Sequence, residues 1–156
     1  MLHDDHRWRG TVTVRAVDAE TGAELDRASF PNLITDAGLN LLRDALGDGT
    51  DARIRYLAVG AGATPPDASD TALEDERLRR QVTLSEAPAT GELETIVYLA
   101  PADATGFTIE ELGWFAGPDA SSESGSGTLL ARVLYSREKT DLESLQVDRL
   151  DTIGRA

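Results

Sequence analysis

A chain of 156 residues has room for one domain that buries roughly 70% of the surface its unfolded form exposes, enough for a core without staples. It contains no cysteine, which excludes disulfides and thiolate metal sites. Asp and Glu number 28 against 15 Lys and Arg, and the net charge of −13 repels a nucleic-acid duplex or an anionic membrane as a partner.

No apolar run approaches the roughly 20 residues of a membrane span. The opening Met1-Leu2-His3-Asp4-Asp5-His6 lacks the apolar stretch of a signal peptide, so the chain is expected to be soluble and not exported by that route. Lys139 is the only lysine, and nearly all positive charge is therefore arginine. Either a GC-rich genome or adaptation to a salt-loving host accounts for an acidic, lysine-poor composition, because high salt screens the self-repulsion of −13.

In chain order, Gly10–Val17 alternates Val12, Val14 and Ala16 with Thr11, Thr13 and Arg15, the period of a half-buried strand. Asp18–Gly22 is a turn cluster and Glu24–Phe30 a returning strand, so residues 8–30 are expected to form a β-hairpin with Trp8 at its base. Thr35–Leu46 is predicted as an amphipathic helix capped by Thr35, with Asp36 in its first turn and Gly47 ending it. Leu39, Leu42 and Leu46 form its expected buried stripe, with Leu41 beside it. Strands are then expected at 53–59, 80–84, 92–99, 107–115, 129–135 and 145–153. Residues 70–78 are expected to supply one or two helical turns anchored by Leu73, and Gly117–Gly127 a serine-rich loop. The fold class is mainly β: a single β-sandwich-like domain over 1–156 with one helix packed on a face or end of the sheet.

The chemistry-bearing groups are sparse. His3-Asp4-Asp5-His6 could chelate Cu(II) or Ni(II), but the plainer reading is a polar lead-in to the first strand. Glu110 and Glu111 are adjacent on a strand and point to opposite faces, which is wrong for a glycosidase pair; Glu92 and Glu94 are weighed for the same role. The serines have no histidine in the folded part to act as base. Gly60-Ala61-Gly62 lacks the rest of a phosphate-loop fingerprint and reads as a bend, and Asp67, Asp70, Asp75 and Glu76 do not have EF-hand spacing. Glu74–Arg80 reads as a surface ion-pair cluster. The expectation is no enzyme, no cofactor and no metal.

Five segments, in order over residues 32–153, carry a resemblance. They are Asn32-Leu33-Ile34-Thr35-Asp36-Ala37-Gly38-Leu39, Leu57–Pro66, Asp70-Thr71-Ala72-Leu73 with Glu76 and Arg79, Phe107–Phe115, and Leu129–Ser136 followed by Lys139. Together they resemble small tail-fibre and tail-collar proteins of tailed bacteriophages and related prophages. The resemblance implies a structural virion protein, made in the host cytoplasm and built into the tail or baseplate, where it anchors or forms part of a fibre. Its partners would be other tail and baseplate proteins and copies of itself, in a trimer or six-fold ring, with no nucleic acid or membrane. A head decoration or turret subunit and a carbohydrate-binding receptor module are the rival expectations. Termini and Gly/Ser loops fray unless neighbours tie them down, so the expected interface residues are Trp8, Ser121, Ser122, Ser124 and Arg155. If the acidity is a high-salt adaptation, the melting temperature should rise steeply from low to molar salt. A melting temperature indifferent to salt favours the codon explanation.

Overall fold

The alternation along the first strand does what its period dictates: Val12, Val14 and Ala16 are all buried while Thr11 faces out. In the computed structural model, which describes residues 6–155, eleven elements follow one another. They are β1 (His6–Asp18), β2 (Glu24–Pro31), β3 (Leu33–Ile34), α1 (Asp36–Asp48), β4 (Ile54–Gly60) and β5 (Glu76–Gln81). After these come β6 (Leu84–Glu86), β7 (Glu92–Leu99), β8 (Ile109–Ala116), β9 (Thr128–Arg137) and β10 (Glu143–Arg155). The motif His3-Asp4-Asp5-His6 lies outside the described residues except for His6.

Two five-stranded antiparallel sheets result, ordered β2-β1-β10-β7-β6 and β3-β9-β8-β4-β5. Their inner faces enclose one core that includes Val12, Val14, Leu57, Val97, Leu112, Trp114, Leu145 and Val147. The chain steps from one sheet to the other at both sides. β2 runs into β3 through Asn32, and β5 runs into β6 through Val82 and Thr83. The two sheets are therefore joined by continuous backbone at each side. The architecture is the expected β-sandwich with one helix, and residues 8–30 form the expected hairpin.

Several local expectations are corrected. The helix caps on Thr35, whose Oγ1 accepts from Gly38 N at 3.0 Å, but it continues past Gly47 and ends where Gly49 takes a left-handed φ of 78°. Its buried face is not the Leu39–Leu42–Leu46 stripe. Leu39 is 50% and Leu46 83% exposed and Leu42 is half-buried, whereas Gly38 and Leu41 are buried. The cause is a close approach to β9: a Cβ on Gly38 would sit 2.6 Å from Leu130 O, so the backbone at Gly38 must face the strand. That contact fixes the rotation of the helix and turns Leu39 and Leu46 outward.

Residues 70–78 hold no helix; 70–75 are an irregular loop and 76–78 already belong to β5. Their amide groups are captured elsewhere, as described below. The single strand expected at 80–84 is split by the sheet change, so Val82 packs on the core while Leu84 is exposed. Leu33–Ile34 pairs with β9, a strand that the sequence reading did not anticipate. We expect Leu41→Ala to cost about 2–5 kcal/mol and Leu46→Ala no more than about 0.5 kcal/mol in urea denaturation. The reverse ranking would mean that the helix is rotated relative to β9.

Candidate functional site

The polar residue buried deepest in sheet β3-β9-β8-β4-β5 is Glu111, fully inaccessible in the middle of that sheet. β8 is buried on both faces, so a side chain leaving its outer face needs a cover. The segment between β4 and β5 supplies one. Glu111 Oε1 accepts from Gly62 N (3.1 Å) and Asp75 N (2.8 Å). Its Oε2 accepts from Glu74 N (3.1 Å) and from Arg132 Nε (2.8 Å). Roughly four lone-pair sites are available on a carboxylate, and all are used. Arg132 Nη1 also reaches Asp70 Oδ2 at 3.2 Å, an oxygen that accepts from Asp67 N as well. The second approach, Nη2 to Glu111 Oε2 at 2.8 Å, is out of line for a hydrogen bond, and Nη2 has no other acceptor among the described residues.

Gly60 and Gly62 are the room for this carboxylate. A Cβ on Gly60 would lie 2.5 Å from Glu111 Oε1, and one on Gly62 would lie 2.7 Å from the same atom. The glycines expected to make a bend thus make a cradle as well. Below the cradle Leu73 packs on Ala58, Phe115 and Leu129, a small second core on the outer face of the sheet. Leu73 is the anchor expected of it, although not in a helix.

A second buried pair sits beside the first. Arg79 donates through Nε and Nη2 to both oxygens of Glu76, at 3.0 and 2.9 Å, and lies 4.0 Å over the Phe115 ring. Its Nη1 donates to Ser121 O, Ser126 O and Ser126 Oγ. The expected surface cluster at 74–80 is exposed at Glu74, Arg77 and Arg80, whereas Arg79 is buried and the Glu76 side chain that it pairs with is mostly covered. Within the chain, the serine loop is held by Arg79 and by Ser121 and Ser126 bonding one another. Of the expected interface residues, Ser121 faces inward and Ser122 and Ser124 are exposed.

The third cluster joins the sheets. Arg149, fully buried, forms a bidentate pair with Asp151 and lies 5.1 Å over Trp114. Trp8 Nε1 donates to Asp151 Oδ1 at 2.8 Å. With its amide turned to match donors with acceptors, Asn32 donates to Gly10 O and accepts from Arg149 Nη1. Trp8 is thus half-buried at the end of β1, and Arg155 is exposed at the neighbouring end of β10. At the opposite end Lys139 donates to Ala100 O, Pro101 O and Thr140 O. Burial pulls its ammonium below the ordinary lysine value, against the pull of Glu143, Asp103 and Asp141.

The residues weighed for catalysis or metal binding do not converge. Glu110 meets Ser136 Oγ at 3.3 Å, away from the Glu111 cradle, and Glu92 and Glu94 lie on the outer face of the other sheet. Asp67 serves Ser69 N, and that hydrogen bonding, with the Ser69 hydroxyl foremost, holds its carboxyl below the usual range. Asp75 and Glu76 serve arginines. Among the described residues no group of three potential ligands is placed to hold a metal ion. The sequence reading missed Glu111, Arg132 and Arg149 as organising residues, since nothing in an acidic sequence distinguishes a buried carboxylate from its exposed neighbours. The chemistry open to all three clusters is to hold backbone segments together.

We expect Glu111→Ala to cost about 3–5 kcal/mol, because it leaves Arg132 buried without its main partner. Limited proteolysis should then cut within residues 61–75. A loss under about 1 kcal/mol with the loop still protected would show that the carboxylate does not hold the loop. No protein-family model, curated protein or solved structure matches the chain.

Proposed function

We propose that the chain is a structural subunit of the tail or baseplate of a tailed virus, without catalytic activity, working as one copy among several and among other tail proteins. The observation that carries this reading is how the residues of the resembling motifs are used. Asn32 bridges Gly10 and Arg149, Thr35 caps α1, and Gly38 lets the helix touch β9. Gly60 and Gly62 cradle Glu111, Arg132 and Asp70 complete its network, Glu76 and Arg79 pin the serine loop, and Lys139 ties down Ala100 and Pro101. A motif set whose buried polar members are spent on fastening loops to a sandwich supports a protein whose product is a shape. The surface is then the working part, and it acts by contact with neighbours.

The test is to purify virus particles from cells that carry the gene, identify the chain by mass spectrometry and locate it by immunogold electron microscopy. The expected result is stoichiometric incorporation with label at the tail. Label on the head shell would move the subunit there, and absence from purified particles would overturn the reading.

A further inference from the structure

Every arginine from Arg15 to Arg149 forms an ion pair with a carboxylate. Arg7, Arg9 and Arg155 are, among the described residues, the arginines that have none, and all three are exposed. They are not scattered. β1 and β10 pair along their whole length, His6 opposite Arg155 and Asp18 opposite Glu143, so the three lie together on one end of this two-stranded ribbon. In a protein of net charge −13 the uncompensated arginines are thus gathered at a single pole.

The same pole has an apolar opening. Trp8, Leu41, Leu42, Ile54, Leu93 and Ile153 line a cleft of about 360 Å³ between α1 and the ends of β1, β7 and β10, and Ile153 is 47% exposed. At the far end of β1 and β10 the pattern is inverted. Glu20, Glu138 and Asp141 are exposed there, drawn together because Ala19 N donates to Leu142 O at 2.9 Å. Glu138 and Asp141 line an open polar groove of about 640 Å³ with Phe107, and Leu142 stands out from the surface at 72% exposure. Thirteen residues of strand separate the two poles by about 40 Å.

We propose that copies of this chain associate head to tail. The Arg7/Arg9/Arg155 pole of one copy meets the Glu20/Glu138/Asp141 pole of the next, and Leu142 seats in the apolar cleft. Charge complementarity selects a second copy as the occupant: the cations lack partners at one end, acids crowd the other, and the protruding leucine faces the end that has a hole for it. Because the two surfaces differ and lie at opposite ends, the contact is heterologous and propagates into a ring or an open chain. The inference deepens the reading of the chain as a repeated subunit by naming the surfaces that would join the copies.

The test is sedimentation velocity on the full chain, over a range of concentrations near physiological ionic strength. The wild-type protein should associate with rising concentration. A triple variant at the basic pole, R7E/R9E/R155E, and one at the acidic pole, E20R/E138R/D141R, should each remain monomeric. Their equimolar mixture should associate again, since one variant keeps the acidic pole and the other the basic pole, and both remain net negative. Leu142→Ser should weaken wild-type association about tenfold at an unchanged melting temperature. Asp4 and Asp5 adjoin the ribbon in sequence, and converting both to Asn should tighten it. A wild-type monomer at every concentration, variants that associate like the wild type, a mixture that stays monomeric, or association that needs added nucleic acid would each overturn the proposal. A chain that is monomeric in solution yet built into particles would overturn this contact and leave the virion reading standing.

Discussion

The outer face of sheet β3-β9-β8-β4-β5 depends on one buried carboxylate. Burying Glu111 is costly for an isolated ion, and the cost is offset only if its oxygens are filled and a cation lies alongside. Here Gly62, Glu74 and Asp75 supply amide donors from one loop, and Arg132 supplies the cation from the neighbouring strand. The carboxylate therefore acts as a template for residues 61–75, which have no regular structure of their own to fix them. Once that loop is down, Leu73 covers Phe115 and Ala58, and the loop reaches α1 through the bond from Asp36 N to Ala68 O. A sandwich with one sheet exposed outside becomes a body with that sheet buried on both sides.

The preference for arginine has a structural use beyond codon bias or host chemistry. Arg79 serves a carboxylate, two carbonyls, a hydroxyl and an aromatic face from one planar group, and Arg149 joins Asp151, Asn32 and Trp114 in the same way. An ammonium is a point charge with three donors and cannot make the forked, stacked contact. The lone lysine occupies the site that suits it, where the carbonyls of Ala100, Pro101 and Thr140 converge on Nζ. The division of labour follows geometry, site by site.

What could be read from the sequence was what depends on local period. Strand alternation, the hairpin at 8–30 and the Thr35 cap are written in adjacent residues, and they are where the structure has them. The rest depends on contacts between distant segments. The buried face of α1 was misjudged because leucines were counted, whereas a glycine, through its approach to Leu130, sets the rotation. The expected helix at 70–78 failed because the amides of Glu74 and Asp75, which a helix would turn back on its own carbonyls, donate to Glu111, more than thirty positions away. Among the suggested interface residues, Ser121 reads as loose in a Gly/Ser loop, yet Arg79, from another segment, holds it. Trp8 and Arg155 were chosen only for lying near the chain ends, and the pairing of β1 with β10 is what puts them side by side.

The internal pairing also determines what the exterior can do. Had the arginines been spread evenly over the surface, a charge of −13 would make each copy repel the next from every direction. Because those from Arg15 to Arg149 are matched with acids, the arginines left without a carboxylate partner among the described residues are the ones at a single end. At about 0.1 M salt the Debye length is about 10 Å, roughly a quarter of the distance between the poles. A copy approaching along the long axis therefore responds to the nearer pole and not to the net charge, whereas one approaching the side meets acids. In the head-to-tail contact proposed above, repulsion at the flanks and attraction at the ends would together give association a direction, set by where the fold leaves its unmatched charges rather than by how many there are.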